Sequence, residues 1–414
     1  MKKPLIILTS VIAIILAIFF GWYLFFPNSG MPTGEVVRNI LPFGSGGDAS
    51  IPANLPGENG QLPDGEQPAD EFARPNTKLF RIVETPVAGA VVFKKGNPTV
   101  VRYVDRATGH IYDADLTTLE KTKVSNNTLP KIYEAYFRTD GNAVLLRSLK
   151  DNSDVVENLS LTLTSPKATA STSSPQAGTL YSVSSTALRG NMGAIAVGSG
   201  NALIYALRDT STVVSSAFNG TGARTLLTSP FTDWRIVTAG NILMLYTKAS
   251  ANALGYAYTL NMSGGSLRKV VGPLNGLIAL PDISGNRVLY SYAENDQTKL
   301  FVKNLTNNAV SEITPATLAE KCVWSARNAG ILFCGAPADN LGSGEPDNWY
   351  RGATHFSDRI WLFDTKSGAA QVLVEPEQIL NIELDATDPK LSPSEDYLIF
   401  TNKTDLSLWA LKLE

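Results

Sequence analysis

The stretch EPDNWYRGATHFSDRIW, residues 345–361, concentrates side chains that could perform chemistry or recognition. It contains one of the two histidines of the 414-residue chain, together with two tryptophans, two arginines and three acids. Trp, Tyr and Arg are frequent anchors of binding surfaces, and a histidine beside a carboxylate can perform acid–base catalysis. The residues that we single out as a candidate binding set are Trp349, Tyr350, Arg351, His355 and Asp358.

These residues lie in an unusually long interruption between two predicted hairpin strands, over residues 335–358. Interruptions of this length in compact folds tend to be functional or disordered, and five bulky side chains in its second half indicate that it packs. Three interpretations stay open. The aromatic residues fold the interruption back over its own or a neighbouring blade, or they form a recognition surface, or His355 performs catalysis with Asp358 or Asp347.

The sequence has few of the residues that a serine-peptidase site or a metal site needs. A serine peptidase needs a G-x-S-x-G elbow and a well-placed histidine, and the chain has no such motif and only His110 and His355. No C-x-x-C or H-x-x-x-H spacing predicts zinc, and we interpret the acids of DLTTLE (115–120) and DATD (385–388) as surface acids in hairpin turns. We therefore predict no metal, no cofactor and no assigned catalytic residue.

The two cysteines bracket the hairpin CVWSARNAGILFC, residues 322–334. When this hairpin is folded about Asn328, Cys322 and Cys334 fall opposite each other on antiparallel strands, close to the distance that a disulfide can bridge. An oxidising compartment would permit the bond. The alternative is a pair of buried thiols that act as small apolar residues.

The amino-terminal residues predict a membrane anchor followed by a linker. Residues 4–26 contain no charge and are long enough to span a bilayer as a helix, while Lys2 and Lys3 favour a cytoplasmic amino end. We predict a stub and anchor over residues 1–26 and a flexible linker rich in Pro, Gly and acids over residues 27–77. The net charge of −3 argues against a nucleic-acid partner.

From residue 78 onward, short apolar runs alternate with turn residues in units of about 40–50 residues. Such units are typical of four-stranded propeller blades. The spacing predicts an all-β propeller over residues 78–414 with seven blades, although six or eight also fit. Strand 78–87 has no hairpin partner and is expected to close the ring against the last blade. The predicted blades are 87–126, 130–165, 178–230, 231–274, 277–315, 320–376 and 386–414.

Two blades carry a recognisable phrase, W-S followed by I-x-F and then I-W-x-x-D-x-x-x-G. It is kept best by Trp324, Ser325, Ile331, Phe333, Ile360, Trp361, Asp364 and Gly368, and in part by Leu391, Ser392, Pro393, Phe400 and Trp409. This pattern resembles the TolB-type, WD-repeat-like propeller repeats. The resemblance implies the fold and no activity, because such propellers serve as peptidase caps, periplasmic scaffolds and lyases.

These observations predict a single-pass membrane protein whose propeller lies outside the cytoplasm, with its oligomeric state left open. The expected function is non-enzymatic binding of a cell-envelope protein or polymer by loops on a rigid ring. The first alternative is an enzyme that acts on glycans or peptides through acids and His355 near one ring face. A third interpretation is a structural envelope component whose partners contact the linker.

Overall fold

The structure is a computed structural model that describes residues 70–150, 153, 155–166, 180–339 and 341–413. The predicted stub and anchor, 1–26, and the linker up to residue 69 lie outside these ranges. No helix within the described ranges is long and apolar enough to cross a membrane. All described residues belong to one compact unit that spans residues 66–414.

Seven four-stranded antiparallel sheets make up this unit, which confirms the predicted seven-bladed, all-β propeller. The first four blades contain β2 (Val87–Lys94), β3 (Thr99–Asp105), β4 (Ile111–Asp115), β5 (Lys121–Ser125); β6 (Ile132–Phe137), β7 (Ala143–Leu149), β8 (Val156–Thr164), β9 (Ser182–Leu188); β10 (Met192–Val197), β11 (Ala202–Leu207), β12 (Thr212–Ala217), β13 (Arg224–Thr228); and β14 (Trp234–Ala239), β15 (Ile242–Thr247), β16 (Leu254–Asn261), β17 (Arg268–Asn275). The last three contain β18 (Ile278–Pro281), β19 (Arg287–Glu294), β20 (Gln297–Asn304), β21 (Val310–Glu312); β22 (Cys322–Trp324), β23 (Ile331–Pro337), β24 (Asp358–Asp364), β25 (Ala369–Val374); and β26 (Ala386–Leu391), β27 (Tyr397–Asn402), β28 (Leu408–Lys412), joined by β1 (Leu79–Val83).

The ring is closed by β1, which pairs antiparallel with β28 as the outermost strand of blade seven. The segment just before β1 also packs on this blade. Arg81 forms an ion pair with Asp70 at 2.6 Å, and the ring of Phe72 lies 5.8 Å from that of Trp409. Residues 70–77, at the end of the predicted linker, therefore belong structurally to the propeller edge.

Burial within a blade depends on the position of the strand. The second strands are buried on both faces because neighbouring blades cover them, and they read as nearly continuous apolar runs such as AVLLRSL in β7 and ILMLYT in β15. Most outermost strands are largely exposed, and all three residues of β21 are exposed. β1 is the exception, since four of its five residues are buried. The strong sequence signal of the second strands and the weak signal of the outer ones follow from this arrangement.

Blade two differs from its predicted range, 130–165. Its outermost strand is β9, Ser182–Leu188, which pairs with β8 over seven register positions, whereas the sequence suggested that residues 178–230 form blade three. The Ser- and Thr-rich stretch between these strands looks like a boundary between blades, but it connects two strands of one sheet. Residues 167–179 of that connection lie outside the described ranges.

Blade order also determines which loops share a ring face. Because strands alternate in direction, the connections between blades emerge at the same face as the connections between second and third strands. We call this the insertion face, since it carries the connection from β23 to β24, residues 338–357, here called the insertion. The insertion contains a one-turn helix, α1 (Asp347–Tyr350), and a second helix, α2 (Pro376–Leu380), lies between blades six and seven.

Candidate functional site

Two connections between blades meet the insertion at its face of the ring. A 3₁₀ turn, Ala319–Lys321, ends where β22 begins, so Lys321 directly precedes an inner strand. Asp385 occupies the same position before β26 in the next blade. Both side chains are fully buried, with 0% exposure. A lysine and an aspartate are thus placed under the insertion by equivalent positions of neighbouring blades.

Lys321 is held by two carboxylates and two aromatic rings. Its Nζ lies 2.7 Å from Asp358, at the start of β24, and also binds Asp385 Oδ1. The same ammonium lies 5.2 Å from the ring centroid of Trp349 and 4.9 Å from that of Phe356. Removing such a charge from water is costly unless opposite charges and hydrogen bonds compensate for it. The carboxylates and the rings of the insertion supply that compensation.

Asp385 joins the insertion to blade seven. Trp349 Nε1 donates to Asp385 Oδ2 at 2.8 Å, and the backbone N–H of Phe356 donates to the same oxygen at 3.2 Å. The rings of Trp349 and Phe356 stack with centroids 6.2 Å apart and an interplanar angle of 4°. One carboxylate therefore fixes both aromatic residues that cover Lys321.

Within the insertion, a buried carboxylate orders the chain around α1. Glu345 Oε2 accepts a hydrogen bond from the backbone N–H of Trp349 at 2.9 Å, and its Oε1 accepts one from Thr354 at 2.7 Å. Asp347 Oδ2 accepts from the backbone N–H of Ala251 in blade four at 2.6 Å. The insertion is thus tied to its own turn and to another blade.

Between the insertion and the segment 375–378 lies a pocket of about 310 Å³, here called the insertion pocket. Its lining includes His355, Asp358, Arg359 and Glu375, and the last two form an ion pair at 2.8 Å. His355 is exposed, while Asp358 is buried at the base of the pocket. An imidazole, a guanidinium and carboxylates therefore share one concave surface.

Asp358 has an unusual environment for a carboxylate. Its burial raises the pKa from 3.8 to about 6, and this effect outweighs the opposing influence of Lys321. Its Oδ2 accepts from the backbone N–H of Ala386 at 2.7 Å, but its Oδ1 has no hydrogen-bond partner among the described atoms. A buried acceptor without a partner is costly, and a ligand group that satisfies it would gain free energy.

The five residues of the candidate binding set do not all lie in one site. Trp349 and Asp358 are buried in the Lys321 cluster, and His355 lines the insertion pocket. Tyr350 is 37% exposed and donates to Glu320 at 2.5 Å, whereas Arg351 is exposed and donates to Asn348 within the insertion. The structure therefore brings two of the five into one pocket and directs one into the core.

Sequence reasoning missed Lys321, Asp385, Arg359 and Glu375. Lys321 lies in a stretch that carries no motif for a site, and Asp385 begins the DATD motif that we interpreted as surface acids. That interpretation is wrong for Asp385, because its side chain is completely buried beneath the insertion. The equivalence of positions before successive inner strands was the available signal, and it required the correct blade register.

The structure joins Cys322 and Cys334 by a disulfide. The two residues form the first register pair between β22 and β23, with Cα atoms 4.1 Å apart. β22 has only three residues, so the bond adds a covalent link to a short inner strand directly after Lys321. Its position makes it a structural support of the insertion face.

Comparison with known proteins identifies the fold. No protein-family model matches the chain, and no curated protein matches it. An oligogalacturonate lyase solved in complex with manganese matches 81% of this chain and 93% of its own, with 11% identity and a TM-score of 0.52. An oligogalacturonate lyase from Vibrio parahaemolyticus matches the same shares at 10% identity, also with a TM-score of 0.52.

TolB from Acinetobacter baumannii is also among the structural neighbours. It matches 64% of this chain and 59% of its own, with 11% identity and a TM-score of 0.40. At this level the likeness supports no conclusion about function. The chain is a seven-bladed propeller with TolB among its structural neighbours, and no finding supports a WD-repeat-like classification.

The comparison overturns the predicted function. We expected a non-enzymatic binding scaffold, and this is contradicted by the two lyases, which share the fold across 81% of the chain and are named for action on a glycan. The finding favours the alternative, an enzyme that acts at a propeller face. At 10–11% identity the shared fold transfers no residue roles, so the chemistry must come from this chain's own side chains.

Manganese does not fit the described part of this chain. No group of three or more His, Cys, Asp and Glu side chains with the geometry of a metal site occurs among the residues that the structure describes. The two buried carboxylates beneath the insertion, Asp358 and Asp385, are already bound to Lys321. We therefore assign no step to a metal.

Proposed function

We propose that this protein is an enzyme that cleaves carboxylate-bearing glycans in the insertion pocket. The observation that carries the proposal is the convergence of His355, Arg359 and Asp358 on one pocket, with an unpartnered oxygen on Asp358 and a pKa raised to about 6. Shifted carboxyl groups beside an exposed imidazole are typical of acid–base sites. The two lyases of the same fold support a glycan as the substrate class.

Arg359 would bind the carboxylate of an acidic sugar. Its side chain is 36% exposed on the pocket lining and forms an ion pair with Glu375 through Nε. A guanidinium binds a carboxylate through paired hydrogen bonds and stabilises the negative charge that develops when the neighbouring C–H is deprotonated. Arg359 thereby acidifies the proton that must be removed.

His355 would transfer the proton. As a neutral imidazole it removes the proton from the carbon next to the carboxylate, and the electron pair forms a C=C bond as the C–O bond to the leaving sugar breaks. The resulting imidazolium then donates its proton to the leaving oxygen. The reaction is balanced without water or a further reactant, since elimination gives one unsaturated and one saturated sugar end.

Asp358 would support this transfer from the base of the pocket. Its carboxylate, buried beside the pocket with Oδ2 bound to Lys321 and Ala386, would stabilise the imidazolium that forms on His355. The apolar stretch at residues 4–26 supports placing the enzyme outside the cytoplasm on a membrane tether. There it would meet extracellular or envelope glycans.

The two histidines permit a matched test with the full chain. Oligogalacturonate and other uronate oligosaccharides would be incubated with wild-type protein, and unsaturated ends would be followed by ultraviolet absorbance. His355→Ala should lower kcat by about 10²-fold or more. His110→Ala, which alters a histidine bound to Thr128 in blade one, should leave it unchanged.

Arg359→Gln should raise KM more strongly for charged than for methyl-esterified sugars, because the ester no longer needs a cation. Absence of unsaturated products from every uronate tested would overturn the proposed reaction. If the His355→Ala and wild-type proteins are equally active, the reaction does not take place in the insertion pocket.

A further inference from the structure

A second cavity lies in the central channel, on the side of the ring opposite to the insertion face. It has a volume of about 820 Å³, within the usual range for small-molecule sites, and is lined mainly by inner strands. Its apolar wall includes Phe137, Ile195, Ile236, Trp324 and Leu391. We call it the channel cavity, and the proposed lyase reaction does not use it.

The inner strands around this cavity are irregular on one side only. Four consecutive ones, β26, β2, β6 and β10, have breaks in their pairing register with the second strand of their blade. The other three, β14, β18 and β22, pair without a break. Bulges bend a strand and redirect its side chains, and they are common beside functional sites.

Two of these irregularities present carboxylates to the cavity. In β26 the register shifts between Thr387 and Lys390, and Asp388 between them adopts a left-handed φ of 51°. In β6 the register shifts between Ile132 and Glu134. Asp388 and Glu134 both line the cavity, and their side chains are 55% and 41% exposed.

The strand between these acids is built of small residues. Ala88, Gly89 and Ala90 of β2 lie between β26 and β6, and a Cβ on Gly89 would lie 2.1 Å from the carbonyl oxygen of Ala135. Only glycine permits β2 and β6 to approach so closely. Ala88 and Ala90, which line the cavity, have short side chains that occupy little of its volume.

Glu134 is held in a defined position. Buried Arg147 donates to its Oε2 at 2.5 Å, and Tyr136 donates to the same oxygen at 3.2 Å. Burial raises the pKa of Tyr136, and the negative charge of Glu134 adds to that rise. Tyr136 therefore remains a neutral donor beside Glu134.

The charges of the lining favour a cation. Three carboxylates line the cavity, from Glu134, Asp388 and Glu395. The ammonium of Lys390 and the guanidinium of Arg147, which holds Glu134, balance two of these charges, so one negative charge remains in excess. Glu395 is occupied by Ser325 and by backbone N–H groups, and Lys390 pairs with Asp388 on the exposed side. Because Lys390 is itself 36% exposed, a ligand cation can replace it at Asp388 without uncovering a buried charge.

We propose that the channel cavity binds a small amphiphilic cation, whose ammonium or guanidinium lies between Glu134 and Asp388 while its apolar body contacts the wall formed by Phe137, Ile236 and Trp324. Charge selects the head group, and the apolar wall supplies most of the binding free energy. The bulges of β26 and β6 provide the two carboxylates that regular strands would direct elsewhere.

The test uses three probes of the same shape, phenylpropylammonium, phenylpropanol and phenylpropionate, titrated calorimetrically into the full chain in one buffer. The ammonium should bind about tenfold more tightly than the alcohol, and the carboxylate more weakly than both. Asp388→Asn should remove most of the preference for the ammonium over the alcohol. Asparagine tolerates the left-handed backbone, so the bulge is retained.

Two further variants separate this site from other effects. Glu134→Gln keeps an acceptor for Arg147 and should also lower ammonium affinity. Asp364→Asn, at the end of β24 in blade six, should not. His355→Ala should bind the ammonium as wild type does. Equal affinity for all three probes, no binding, or full retention of ammonium preference in Asp388→Asn would each overturn the proposal.

Discussion

Neighbouring blades five and six differ in the connection between their second and third strands, which is short in blade five and long in blade six. In blade five, β19 and β20 are joined by Asn295 and Asp296 alone, both with positive φ, which gives the tight turn that matches strand twist. In blade six, the equivalent strands are separated by the insertion, 338–357. The residue before the inner strand also differs, since blade five has Leu277 where blade six has Lys321.

This difference explains why the insertion exists in physical terms. Leu277 and Lys321 are both completely buried, but a leucine is stable among apolar neighbours, whereas an ammonium needs opposite charges and a cover that excludes water. Asp358 and Asp385 supply the charges, and Trp349 with Phe356 supplies the cover. Blade five, with leucine before its inner strand, needs no such cover, and two turn residues connect its second and third strands. In blade six the insertion pocket lies at the edge of the aromatic cover.

The most severe test of this comparison gives blade six the residue of blade five. Lys321→Leu leaves Asp358 and Asp385 buried without their cation and should lower the free energy of unfolding by about 3–5 kcal/mol. The measurement is urea denaturation near neutral pH. The control is Lys299→Leu in blade five, which removes an exposed ion pair at 4.0 Å and should change stability by less than about 1 kcal/mol.

If both lysine variants are equally stable, the insertion is not a response to a buried charge. The pH dependence of the variant's stability provides a second measurement. Lowering the pH should restore part of the stability of Lys321→Leu, because protonated carboxyls no longer need the ammonium.

The folding stability of the wild type should depend on pH because of Asp358. Its folded pKa of about 6 exceeds the ordinary 3.8, so the folded state binds more protons between these values and stability falls as pH rises through them. Relative to Asp358→Asn, the wild type should lose on the order of 2–3 kcal/mol between pH of about 4 and 7. Parallel stability curves for the two proteins would show that Asp358 is not shifted.

A smaller effect is expected from the disulfide of blade six. The corresponding first register pair of blade five, Ile278 and Ser291, has no covalent link. Cys322→Ser with Cys334→Ser opens a loop of sequence separation 12 and should cost about 2 kcal/mol. Reductant should lower the thermal midpoint of the wild type to that of the double variant, and no response to reductant would contradict the bond.

Much of the fold could be predicted because strand position determines burial. Second strands such as β7 and β15 are covered by blades on both sides, so their composition is almost fully apolar and easily recognised. Outer strands such as β21 are exposed and carry little apolar signal. For the same reason β9, which is mostly exposed, was assigned to the wrong blade.

The site was less predictable because its residues come from three separate segments of the chain: the turn before β22, the insertion with the start of β24, and the connection before β26. The aromatic insertion was evident, as was His355, since long interruptions and rare residues stand out in a sequence. Lys321 and Asp385 did not stand out, because a single lysine or aspartate normally marks a surface. Only the register of successive blades places them together, and the bulges that expose Glu134 and Asp388 arise from pairing between distant strands.

Ring closure by β1 has a consequence for the time course of synthesis. Leu79 pairs with Leu411, so the chain must grow by 332 residues before this strand meets its partner. At a synthesis rate of about 5–20 residues per second, β1 waits roughly 15–65 seconds with an unpaired edge. During that interval six blades can form in order, and the seventh is completed last by a strand that was made before all of them.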